Sequence, residues 1–115
     1  MTSEPLQQPA RLSVPDLALT LFVSGASTSS ARAIRHVQAL CDEHLHGRYR
    51  LTVVNVHTEP GLARTHRVYA TPTLIRESPL PERRVVGDFS DPVRVLEALH
   101  IRVLDSLDDA ESDRD

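Results

Sequence analysis

Lysine and tryptophan are absent from this chain, and cysteine and methionine each occur once. With a single thiol, Cys41, no internal disulfide can form, which excludes the small disulfide-stapled secreted class and fits a reducing cytoplasm. No apolar run reaches membrane-spanning length, and no signal-peptide pattern precedes the first apolar segment, so a cytoplasmic protein off the membrane is expected. Without lysine, all thirteen basic residues are Arg; this reads mainly as codon bias, although the planar guanidinium also favours bidentate contact with carboxylates. Excess charge is scarce as well. The formal net charge is −3, and the segment from Asp105 onward carries six acids against Arg114. The rest of the chain is left at about +2, too weak a bias for nucleic-acid binding.

What is present is one domain between two polar ends. Residues 1–15 carry Pro5, Pro9 and Pro15, and residues 105–115 are dominated by Asp, Glu and Ser. Neither stretch buries enough apolar surface to offset the entropy of ordering it, so both read as flexible tails flanking a domain over residues 16–104. Leu17 to Val23 is almost continuously apolar and reads as a central strand covered on both faces. After the hydroxyl-rich run Ser27-Thr28-Ser29-Ser30, Ile34, Val37, Cys41 and Leu45 recur at spacings of three and four, which predicts an amphipathic helix stopped by Gly47. Leu51 to Val56 is β-branched and predicts a second buried strand, parallel to the first through a right-handed crossover. A short helix from Pro60 through Tyr69 follows. Thr73 to Glu77 and Arg83 to Val86 are the next strands, and Asp91-Pro92 opens a last helix bearing Leu96, Leu99 and Val103 on one face. The order βαβ-αββα is that of the thioredoxin-like α/β fold.

The chemistry of a thioredoxin is missing. The start of the first helix holds Ser27 to Ser30 where a redox enzyme needs a nucleophilic thiolate. Cys41 falls about three turns later on the apolar face, as a structural residue. His44 and His46 stand two apart and diverge on a helix, and His57, His66 and His100 lack a partner at ligand spacing, so neither a metal nor another cofactor is expected. Asp88 and Asp91 read as turn and cap residues, not as a catalytic acid pair. No catalytic residue emerges.

Leu21-Phe22-Val23-Ser24-Gly25, Arg32-Ala33, Gly47-Arg48-Tyr49, Ala70-Thr71-Pro72-Thr73-Leu74 and Arg83-Arg84-Val85-Val86-Gly87-Asp88-Phe89-Ser90-Asp91 together resemble the KaiB family of clock proteins, ungapped from Leu17 to about Ile101. The resemblance implies a non-enzyme that binds the RecA-like ATPase KaiC, helps sequester KaiA and displaces the SasA histidine kinase. It also implies two accessible folds: a ground state, commonly tetrameric, and a thioredoxin-like state that binds KaiC. Relatives outside cyanobacteria serve timing or stress adaptation.

Position by position, the resemblance assigns Arg32, Arg76, Arg83 and Arg84 to the surface facing KaiC or a competing partner. The thioredoxin-like fold places a cis peptide at Thr71-Pro72, just before the strand that faces the start of the first helix. Arg64, Thr65 and His66 stand where relatives carry an acidic patch, which reverses the local charge on the second helix. Ala98 and His100 replace a Gly and an Asp that help hold the ground state. Gly within a helix costs about 0.5–1 kcal/mol relative to Ala, and an Asp near a helix C-terminus about 0.3–1 kcal/mol. Both changes are expected to favour a final helix running from Asp91 to about Leu104. The free protein should therefore occupy the thioredoxin-like state, as a monomer or dimer and not a tetramer. Two alternatives stay open: a sensor or scaffold domain that binds a histidine kinase, and a thioredoxin-like redox protein.

Overall fold

The structure is a computed structural model that describes residues 17–101; the expectations for the two tails lie outside the described residues. Its elements run β1 (Leu17–Val23), α1 (Thr28–His44), β2 (Tyr49–Asn55), α2 (Pro60–Thr65), β3 (Thr73–Ser78), β4 (Arg83–Val86) and α3 (Pro92–Ala98). This is the thioredoxin-like order read from the sequence.

The four strands form one sheet in the order β2-β1-β3-β4. The apolar run of β1 lies inside it, parallel to β2 and antiparallel to β3, and Leu19 to Val23 are buried. β3 pairs antiparallel with β4, placing Arg76 opposite Arg83 and Ile75 opposite Arg84. The second strand differs from expectation. β2 is an edge strand, and Val54 is its one buried residue. Pairing on one side alone leaves half of its β-branched surface at the rim.

Side chains alternate across the pleat and so build two unequal cores. On one face Leu19, Leu21, Val23 and Leu74 pack with Val37, Leu40 and Cys41 of α1 and with Val95, Leu96 and Leu99 of α3. On the other face Phe22, Val54 and Ile75 form a smaller cluster covered by Val56 and Val68. Within α1 the buried stripe is Ala33, Val37, Leu40 and Cys41, while Ile34 is half-buried. The helix is thus turned slightly from the orientation predicted. Its N-cap is Ser27, whose Oγ accepts from the Ser30 amide at 3.1 Å. It unwinds after His44, through His46 and Gly47 at φ of +46° and +79°.

Both later helices are shorter than their sequences suggest, and for one shared reason. After Thr65 the Arg67 amide donates to Arg64 O and the Val68 amide to Ala63 O, with Arg67 at φ +53°. After Ala98 the His100 amide donates to Glu97 O and the Ile101 amide to Leu96 O, with His100 at φ +55°. Each is a left-handed stop of the Schellman type with a non-glycine residue at its turning point. Tyr69 therefore stands outside α2 and is exposed. The predicted run of α3 to Leu104 is overturned at His100, which closes the helix instead of extending it; residues 102–104 lie outside the described residues. Ala98 is the last residue of α3 and is exposed.

Candidate partner-binding surface

Of the four arginines assigned to a partner surface, the structure brings two together. Arg76 and Arg83 face each other across β3 and β4 on the side of the sheet that carries α1 and α3. Arg83 is exposed, but Arg76 is only 5% exposed. Its Nε donates to Leu99 O at 2.7 Å and its Nη1 to Pro79 O, so it clamps the C-terminus of α3 to the β3–β4 turn. A cation there also complements the negative end of the helix. Arg76 is thus an internal strut in this conformation, buried where the resemblance sets it on the partner surface. Burial, and then the neighbouring Arg83, lower its pKa from the usual arginine value.

Arg84 points to the opposite face. Its Nη1 donates to Arg67 O at 3.0 Å, and its Nη2 donates to His66 O at 2.7 Å and pairs with Glu82 at 2.8 Å. It closes the segment after α2 onto β4. Arg32 is exposed in the first turns of α1 near the β4–α3 loop. There Asp88 has its pKa lowered, first by hydrogen bonds from Ser90 and then by His36 and Arg32. His36 Nδ1 donates to Asp88 O at 2.7 Å, so α1 and this loop meet at one corner. Between the loop and α3 runs a groove of 670 Å³ with Val85, Phe89, Val95 and Ala98 as its apolar lining and Asp91 and Glu97 among its charged residues. Asp91 caps α3, its Oδ1 accepting from the Arg94 amide at 3.4 Å.

The corner where thioredoxin chemistry would sit is built from hydroxyls. Ser24 Oγ and His57 Nε2 share a 2.8 Å hydrogen bond, and Asn55 Oδ1 accepts from the amides of Gly25 and His57 at 3.1 and 2.9 Å. No sequence signal pointed to this cluster, because its members come from the ends of β1 and β2. The Thr71–Pro72 peptide is cis. Cys41 is buried far from that corner, and burial, with Asp42 second, pushes its thiol pKa up to about 12. His66 turns inward. Its ring stands 5.5 Å from that of Phe22, and its Nε2 lies 3.5 Å from Glu77, which also accepts from Thr20 Oγ1 at 3.1 Å. The charge reversal expected on α2 thus rests on Arg64, which is exposed beside the neutral Thr65. Among the described residues no three His, Cys, Asp or Glu side chains converge to hold a metal, and no helix is long and apolar enough to cross a membrane.

The KaiB domain family matches residues 20–101. The chain is 36% identical over 97 residues to the circadian clock oscillator protein KaiB of Gloeothece citriformis, covering 84% of this chain and 91% of that protein. Its identity to the protein of the same name in Synechococcus elongatus is 39% over 83 residues, covering 72% and 81%. Among solved structures, the N-terminal domain of Synechococcus elongatus SasA superposes with a TM-score of 0.63 at 24% identity, over 76% of this chain and 86% of that one. Fasciola hepatica thioredoxin superposes with a TM-score of 0.62 at 18% identity, over 84% and 90%. These structural likenesses establish the fold.

Proposed function

The chain belongs to the KaiB family, and on that premise we propose that it is a cytoplasmic regulatory binding protein that docks on a KaiC-like RecA-type ATPase in a timing or stress-adaptation system. The observation that carries this reading is the outer edge of the sheet. Among the described residues β4 pairs with β3 on one side alone, presents Arg83 outward, and borders the groove beside α3. A sheet edge with a cation and a cleft of mixed apolar and charged lining beside it suits a protein partner better than a small substrate. Arg32 adds a second exposed cation at the other end of β4, while Arg84 ties β4 to the segment after α2 and Arg76 ties α3 to the β3–β4 turn. A SasA-type kinase or a KaiA-like factor would be a secondary partner of the same surface.

The redox alternative loses support from the thiol itself. Cys41 is buried, and with its pKa raised to about 12 it is protonated at neutral pH, so it supplies no thiolate nucleophile. No turnover in an insulin-reduction assay is the expected outcome.

Binding of Arg83→Glu to a KaiC-like ATPase ring, followed by interferometry at two salt concentrations, tests the docking reading. Charge reversal at an interface rim slows association and flattens its salt dependence. A loss of about tenfold in affinity at low salt, equal to about 1.4 kcal/mol, is expected. Unchanged affinity at low salt removes β4 from the interface.

A further inference from the structure

The Arg76–Arg83 pair has an electrostatic problem that the described residues do not solve. Two guanidinium groups stand directly across β3 and β4 on one face, one of them buried. Like charges so placed repel, and a buried charge calls for a counter-ion. Arg76 finds two carbonyl oxygens, those of Leu99 and Pro79, but among the described residues neither arginine forms an ion pair with a carboxylate. The nearby turn leaves Leu80 80% exposed.

The sequence carries acidic residues shortly after this point. Arg76 holds Leu99 O, so the sequence passes Ile101 beside the pair. Residues 102–115 then carry Asp105, Asp108, Asp109, Glu111, Asp113 and Asp115, with Leu104 and Leu107 among them. At up to about 3.5 Å per residue, the four residues from Ile101 to Asp105 span at most about 14 Å, and Asp109 is within about 28 Å. We propose that the acidic segment 104–115 docks in cis on the ledge formed by Arg76, Arg83 and the β3–β4 turn, its carboxylates pairing with Arg83 and its leucines covering Leu80. The segment thereby occupies a cation that the proposed function gives to a partner, and acts as an internal competitor. That consequence rests on the proposed function, whereas the docking itself is a property of the isolated chain.

The test uses the full chain without any ATPase. Backbone amides and arginine Nε–Hε groups are followed by NMR in the natural sequence and in a full-length variant carrying Asp105→Asn, Asp108→Asn, Asp109→Asn, Glu111→Gln, Asp113→Asn and Asp115→Asn. Outside the substituted segment and its chain neighbours, the expected result is a set of shifts confined to residues 76–83 and the Arg83 side chain. Raising salt to roughly 1 M, where the screening length is about 3 Å, should move the natural sequence toward the same positions. A synthetic peptide of residues 104–115, titrated into the neutralised variant, should reverse the shifts, and a further Arg83→Glu change should abolish that response. Unchanged resonances at 76–83 overturn the proposal, as does a set of shifts centred on another surface. Shifts that depend on protein concentration overturn it too, because they would assign the ledge to the segment of a second copy. Each readout is independent of KaiC-like binding, so failure here leaves the partner reading standing, and failure there leaves this one.

Discussion

Arg83 and Arg84 are neighbours in sequence, yet the pleat sends one to each face of the sheet, and their environments set their roles. Arg84 carries hydrogen bonds to two backbone carbonyls and an ion pair with Glu82; Arg83 has no such partner among the described residues. Truncation should separate them. Arg84→Ala is expected to lower stability by about 1 kcal/mol, the scale of partly exposed charge-assisted hydrogen bonds. Arg83→Ala should stay within about 0.5 kcal/mol of the parent. Urea denaturation of both variants checks this, and equal losses would contradict the division. Cys41 gives a second test. Its folded pKa is raised to about 12 from 9.0, so the unfolded chain gives up this proton first as pH rises. The contribution is complete below about pH 9 and declines between pH 9 and pH 12. Replacing Cys41 by Ala should cost stability at neutral pH yet leave a shallower alkaline decline. An identical alkaline slope in both proteins would show that Cys41 is not its source.

Helix termini show where the sequence is readable and where it is not. Starts were legible: Ser27 and Asp91 cap α1 and α3 with their side chains, and Pro92 sits in the first turn, all from residue chemistry that acts locally. Ends were legible only where glycine marks one, as at Gly47. α2 and α3 close on Arg67 and His100, residues with no intrinsic preference for the left-handed region. Their stops are imposed by the apolar residue that follows, Val68 on one core and Ile101 on the other. The same nonlocal logic hid the role of Arg76, a charged residue that the pleat places beneath α3. Likewise the apolar composition of β2 could not say that the strand lies at an edge. A residue in the left-handed region at φ +55° costs about 1 kcal/mol unless it is glycine. His100→Gly should therefore raise stability by about 0.5–1 kcal/mol with the fold unchanged. Ala98→Gly, within the helix, should lower it by a similar amount. A calorimetric loss for His100→Gly would mean that its side chain contributes more than its backbone costs.

At the scale of the whole molecule, the two faces of the sheet are covered very unequally, and stability should be distributed in the same way. One face is closed by the seventeen residues of α1 together with α3, over a continuous core from Leu19 to Ile101. The other is closed by α2, a six-residue helix with no buried residue, and by Val68 beyond it. A helix of that length is not stable by itself. α2 stays in place through the segment that follows it, where Val68 packs on Phe22 and Ile75 and Arg84 holds the carbonyls of His66 and Arg67. Local opening of this region exposes little apolar surface, so its free energy should lie well below that of global unfolding. Opening the β1–α1 layer instead exposes Leu21, Phe22, Val37 and Leu40 together. Native-state hydrogen exchange should thus show the amides of β1 and the middle of α1 as the slowest, exchanging only with global unfolding. Those of α2 should exchange at least about a hundredfold faster, corresponding to roughly 2.8 kcal/mol. Arg84→Ala should accelerate exchange in residues 63–68 and leave β1 close to its parent rates after correction for global stability. Equal protection of α2 and β1 would show that the second face closes cooperatively with the first. In that case the thin cover on this side could not open separately from the core.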